Sequence, residues 1–92
     1  MTTIDVMPER TNIGWRCVVR VVDEHGASVY SVIVSTADLE RLDRGATDPT
    51  DLVRRSFEFL LEREPKESIL RSFDMPVIGR YFPDYEREIR RR

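Results

Sequence analysis

The sequence predicts an α+β domain in which a small antiparallel sheet packs on one main helix. Three observations predict it. Side chains alternate with period two across residues 13–35, an apolar stripe with helical spacing runs through 49–63, and prolines at 65, 76 and 83 cut the tail into short pieces. Its 92 residues are enough for one domain, spanning 1–92, with a single core.

The first element is residues 3–7, where Ile4 and Val6 alternate with polar neighbours as a strand would. Pro8 and the polar residues after it, 8–12, read as the turn that closes it. In residues 13–22 the odd positions Ile13, Trp15, Cys17, Val19 and Val21 are all apolar. Residues 28–35 are rich in β-branched and aromatic side chains, which suit a pleated surface. Asp23, Glu24, His25 and Gly26 between them make the turn of a β-hairpin spanning 13–35. A four-residue loop pairs Val22 with Ala27, Val19 with Tyr30, Cys17 with Val32 and Trp15 with Val34. A two-residue His25-Gly26 loop shifts the pairs but keeps the same residues on each face, and one face is then consistently apolar: Trp15, Cys17, Val19, Val21, Tyr30, Val32 and Val34. The other mixes Arg16, Arg20 and Ser31 with Val18, Val29 and Ile33. A one-residue slip would turn the apolar set to water, so the face each residue takes is strongly specified. An isolated hairpin is marginal, so a third strand or a helical cover is expected, making the sheet two- or three-stranded.

Ser35, Thr36, Ala37 and Asp38 open a short helix with a capping hydroxyl and a first-turn carboxylate, and Gly45 suits its end. The main helix covers 49–63: Asp48 caps it, Pro49 fits the first position, and Asp51 lies at the positive end of the dipole. Leu52, Val53, Phe57, Phe59, Leu60 and Leu61 spread over an apolar arc of about 200° at 100° per residue. That is wider than one sheet face needs, so later helices or another chain must cover the excess. From Pro65 onward three proline-started pieces follow, carrying Ile69 and Phe73, then Ile78 and Phe82, then Tyr85 and Ile89. A proline inside a helix costs about 3 kcal/mol, so short C-terminal helices with corners are expected.

Seventeen acidic and fifteen basic side chains give a net charge of −2, which draws the whole chain to neither nucleic acid nor an anionic membrane. Residues 1–53 hold nine acidic and five basic groups, and 54–92 hold eight and ten, a mild dipole only. The single cysteine, Cys17, has no partner for an intrachain disulfide. With no signal-like start and no long apolar run, it points to the cytoplasm and away from a membrane.

The stretch Ser56-Phe57-Glu58-Phe59-Leu60-Leu61-Glu62-Arg63-Glu64-Pro65, then Ser68-Ile69-Leu70-Arg71-Ser72-Phe73-Asp74 and Arg80-Tyr81-Phe82-Pro83-Asp84-Tyr85-Glu86, is distinctive. It resembles a group of small uncharacterised bacterial proteins that join a hairpin to such a helical tail. The resemblance implies one folded unit of bacterial origin and brings no activity, cofactor or catalytic residue.

The residues argue against the commoner catalytic devices. His25 is the one histidine and falls in a turn, away from Cys17. A zinc site wants about four ligands at recognisable spacing, and no such set occurs. The glycines are isolated, so no phosphate loop is written. The expectation is therefore a non-enzymatic protein without a cofactor or metal. It would act in protein–protein association, with itself as a homodimer or with another protein. Phe59, Val29 and Ile33 are the candidate contact surface. The alternative is a nucleic-acid-binding regulator using Arg16, Arg20, Arg80, Arg90, Arg91 and Arg92. Residues 65–82 read as helix, break, helix, although the second piece offers only Arg80 as a charged group.

Overall fold

The computed structural model describes residues 1–92 as a four-stranded sheet covered on one face by helices. β1 (Thr3–Arg10), β2 (Gly14–Asp23) and β3 (Gly26–Ser35) form an antiparallel meander, and β4 (Ser72–Asp74) joins β3 in parallel. The architecture is α+β as expected. The sheet, however, is mixed and has four strands, where an antiparallel sheet of two or three was predicted. Three residues are too few to show an alternation, and β4 is brought to β3 only by the crossover through the helices.

Of the two expected registers the hairpin takes the first, with Val22 opposite Ala27, Val19 opposite Tyr30, Cys17 opposite Val32 and Trp15 opposite Val34. The ladder continues to Asp23 and Gly26, so only Glu24 and His25 remain in the turn. Gly26 takes a φ of 125°, and the Asp23 carboxylate accepts the His25 backbone N–H at 2.8 Å. β1 runs through Pro8 to Arg10, where a turn was expected at 8–12. Pro8 is tolerated because β1 is an edge strand, so its missing N–H interrupts no ladder.

α1 (Thr36–Leu42) starts with a reciprocal cap: Ser35 Oγ accepts the Asp38 N–H at 3.0 Å, and the Asp38 carboxylate accepts the Ser35 N–H at 3.2 Å. α2 (Thr50–Leu61) is shorter than the expected 49–63, with Pro49 at the N-cap rather than in the first turn, and the Asp48 carboxylate accepts the Thr50 N–H at 2.8 Å. Beyond it come a single 3-10 turn (Lys66–Ser68), β4, α3 (Val77–Tyr81) and α4 (Tyr85–Arg91). The helix–break–helix expected over 65–82 is therefore a turn, a strand and one short helix.

The wide apolar arc of α2 is divided between two neighbours. Phe57 meets the sheet side, with its ring 5.1 Å from Tyr30 and 6.2 Å from Phe73. Phe59 meets the tail, edge-on to Phe82 at 5.9 Å and to Tyr85 at 5.3 Å. Between them a buried polar chain links helices: Ser56 Oγ donates to the Leu52 carbonyl and lies 2.7 Å from the Tyr85 hydroxyl, which also reaches Met75 Sδ at 3.2 Å. Burial pushes the Tyr85 phenol up to about 12. Ser56→Ala leaves that hydroxyl with a thioether as its remaining partner. Urea denaturation should show a loss of about 1–3 kcal/mol, the cost of stranding a buried polar group.

Lys66 ties the tail to the hairpin. Its side chain is only 2% exposed, and its ammonium donates to Asp23 at 2.8 Å and to Glu67 at 2.6 Å. Its carbonyl accepts the Tyr30 hydroxyl at 2.6 Å. The hydrogen bonds from Lys66 hold both carboxyls below their usual 3.8 and 4.5. Folded values lower than unfolded ones mean that this stabilisation is complete above those usual values. It is lost as pH falls through the folded ones. Thermal melts of the wild type should therefore weaken below about pH 4. Asp23→Asn should melt lower at neutral pH and show a shallower decline in acid.

Candidate functional site

Helices cover the face of the sheet that carries Trp15, Cys17, Val19, Val21, Tyr30, Val32 and Val34, all buried. Desolvation there raises the Cys17 thiol to about 11, so at neutral pH it is a protonated packing group. The opposite face has no helix over it. Strand register arranges that face in rows: Asp5, Arg20 and Val29; Met7, Val18, Ser31 and Ser72; Glu9, Arg16, Ile33 and Asp74.

Met7 is 65% exposed and Val29 52% exposed, whereas Val18 and Ile33 are half-buried. Met7, Val18 and Val29, with Asp5 and Arg20 at the side, line a shallow dish of about 450 Å³. Glu9 and Arg16 pair across the strands at 2.9 Å, both well exposed. An ion pair in that setting contributes at most about 1 kcal/mol, so it remains free to exchange for a partner's charge. Both edges of the sheet are blunted, β1 by Pro8 and its charged residues and β4 by its length of three residues. The broad face is thus the one uncovered β surface suited to contact.

Val29 and Ile33, expected as contact residues, do lie together on this open face. Phe59 does not: it is 0% exposed, enclosed by Phe82, Tyr85 and the Arg63 guanidinium 3.6 Å from its ring centre. Its helical position is apolar because the tail covers it. The sequence pattern does not single out Met7, because Pro8 beside it reads as the start of a turn whereas β1 runs on to Arg10. Its odd parity, shared with Asp5 and Glu9 and opposite to Ile4 and Val6, was the available signal.

The arginines proposed for nucleic acid are not gathered. Arg16 and Arg20 stand on the open face beside Asp5, Glu9 and Asp74, and no aromatic ring shares that face to stack on a base. Arg80 is on α3. Arg90 donates to the Arg41 carbonyl at 3.3 Å, Arg91 lies at the exposed end of α4, and Arg92 makes two bonds to Glu62 at 2.5 and 3.0 Å. α4 packs on α2, behind the helix-covered face, so these side chains and Arg16 address opposite sides of the molecule.

A second concavity, about 760 Å³, lies where α1, α2 and α4 meet. Its centre is Arg55, 12% exposed, which donates to Asp51 at 2.7 Å, Asp43 at 2.8 Å and the Ile89 carbonyl at 2.8 Å. The guanidinium neutralises two carboxylates and caps the end of α4, so it has little capacity left for a ligand. Arg55→Met should lower stability by about 1.5–3 kcal/mol, the range for hydrogen bonds to charged groups, with exchange of the α4 amides speeding up most. No three His, Cys, Asp or Glu side chains come close enough to hold a metal ion, and no helix is long and apolar enough to cross a membrane.

No protein-family model, curated protein or solved structure matches this chain.

Proposed function

We propose that the chain is a non-enzymatic protein-interaction domain that binds through the open face of its sheet. One observation carries this reading: the helices bury the other face of β2 and β3, yet Met7 and Val29 stay exposed over an apolar dish. A flexible methionine beside small branched side chains is an adaptable apolar contact, and the charged rows beside it supply orientation. The buried, unpaired Cys17 fits a reducing compartment, which favours the cytoplasm.

The test compares the tagged wild-type chain with Val29→Glu in capture from native lysate, after nuclease treatment. Val29 projects to solvent, so the substitution should leave the fold within about 0.5 kcal/mol. A charge placed in the dish should reduce captured protein at least tenfold. Equal capture by both chains would refute the surface. Loss of all bound material on nuclease treatment would transfer the function to nucleic acid.

A further inference from the structure

The open face is divided by charge into columns. β1 presents Asp5, Met7 and Glu9, and β2 presents Arg20, Val18 and Arg16 in the same rows. A carboxylate column therefore runs beside a guanidinium column, each interrupted by one apolar residue at the same height. We propose that the occupant of this face is a second copy of the chain, packed sheet on sheet about a two-fold axis that runs along the strands between β1 and β2. This rests on the reading of the open face as a protein-binding surface.

Packed sheets stand about 10 Å apart with strand directions within about 30°, so the rows of one copy lie near the same rows of the other. This axis carries β1 of each copy over β2 of its mate. Asp5 then faces Arg20 of the second copy, and Glu9 faces Arg16 of the second copy. Met7, the most exposed apolar side chain of the three rows, enters the mate's dish over Val18, beside Val29. Symmetry makes every contact twice.

Of the other two-fold placements, one above β3 pairs only Arg16 with Asp74 of the second copy, half the ion pairs made here, and the rest fail on charge. An axis above β2 stacks each guanidinium column on itself. An axis between β2 and β3 lays both arginines on Val29 and Ile33, and sets Glu9 against Asp74. An axis across the strands through Met7 sets Arg16 against Arg20 and Asp5 against Glu9. Like-charge juxtaposition is a strong penalty at an interface.

Only β1 and β2 overlap in this placement, so two strands at about 4.8 Å and seven residues at about 3.4 Å give roughly 230 Å² per copy, well below a standard interface. The dimer is therefore weak, and its charged contacts make it sensitive to salt.

Sedimentation equilibrium provides the test. The wild-type mass should rise toward twice the chain mass with concentration at low salt, and fall back at high salt. The double exchanges Asp5→Lys/Glu9→Lys and Arg16→Glu/Arg20→Glu should each weaken self-association at least tenfold, with circular dichroism confirming that both fold. Mixed together, the two variants present complementary columns and should reassociate as a one-to-one heterodimer. A mixture that stays monomeric, or a dimer that neither exchange weakens, overturns the arrangement. A wild type that stays monomeric while Val29→Glu still abolishes capture of another protein ends the second-copy proposal and leaves the binding face standing. A monomer whose capture ignores Val29→Glu ends both.

Discussion

Phe59→Ala should lower the unfolding free energy by about 3–5 kcal/mol, the usual cost of truncating a buried phenylalanine. The ring is fully enclosed and makes edge contacts to Phe82 and Tyr85, while Arg63 and Arg92 place guanidiniums over its faces. Truncation removes the piece that fastens α4 and the tail to α2. For a domain of this length, total stability is on the order of 5–14 kcal/mol, so the loss is a large fraction of the whole. A urea titration followed by circular dichroism reads it directly, as a shift of the midpoint at similar slope. Phe59→Lys should cost more than the alanine change, because it buries an ammonium beside the Arg63 and Arg92 guanidiniums. If either variant folded like the wild type, the tail would not be packed on α2 as described.

Gly14→Ala should be the most damaging small substitution in the sheet. A Cβ built at Gly14 would stand 2.2 Å from the Val34 carbonyl oxygen and 2.7 Å from Ser35 Cα. Both are backbone atoms of the paired strand, so no rotamer change relieves the overlap. β2 and β3 would have to separate at their Gly14–Ser35 end, and Ser35 is also the residue that caps α1. The overlap should cost about 3 kcal/mol, the upper part of the range for overpacking, with loss of the cap adding about 1. Gly79→Ala supplies the control. It lies in α3 with no heavy atom within 4 Å of the added methyl, and should raise stability by up to about 1 kcal/mol. If the two glycine variants lost similar stability, the close approach of β2 and β3 would be wrong.

Local chemistry was legible wherever one segment's own pattern decided the outcome. The faces of the hairpin followed from an apolar set that a slip of one residue would expose, while the register was left between two loops. The start of α1 followed from Ser35 and Asp38, and that of α2 was read one residue early, from Asp48. For the candidate surface, the same alternation placed Val29 and Ile33 on one side of β3. It left Met7 out, because Pro8 read as a turn when it is an edge-strand residue. Proline is neutral on an edge, and nothing within residues 3–12 says which strand is the edge.

By itself, the sequence determined that this chain is α+β, which sheet face is buried, which two strands form the hairpin, and where the first helix begins. These depend on side-chain period, capping groups and turn residues, all of which act over a few neighbouring positions. Only the tertiary structure decided that Ser72–Asp74 is a parallel fourth strand and that the tail covers the outer flank of α2. It alone placed Lys66 and Arg55 as buried ties between distant segments, and separated the C-terminal arginines from Arg16 and Arg20. Those outcomes depend on which distant groups meet once the helices cross over the sheet. An apolar arc or a lone arginine records only that it needs a partner, not which one the fold will bring.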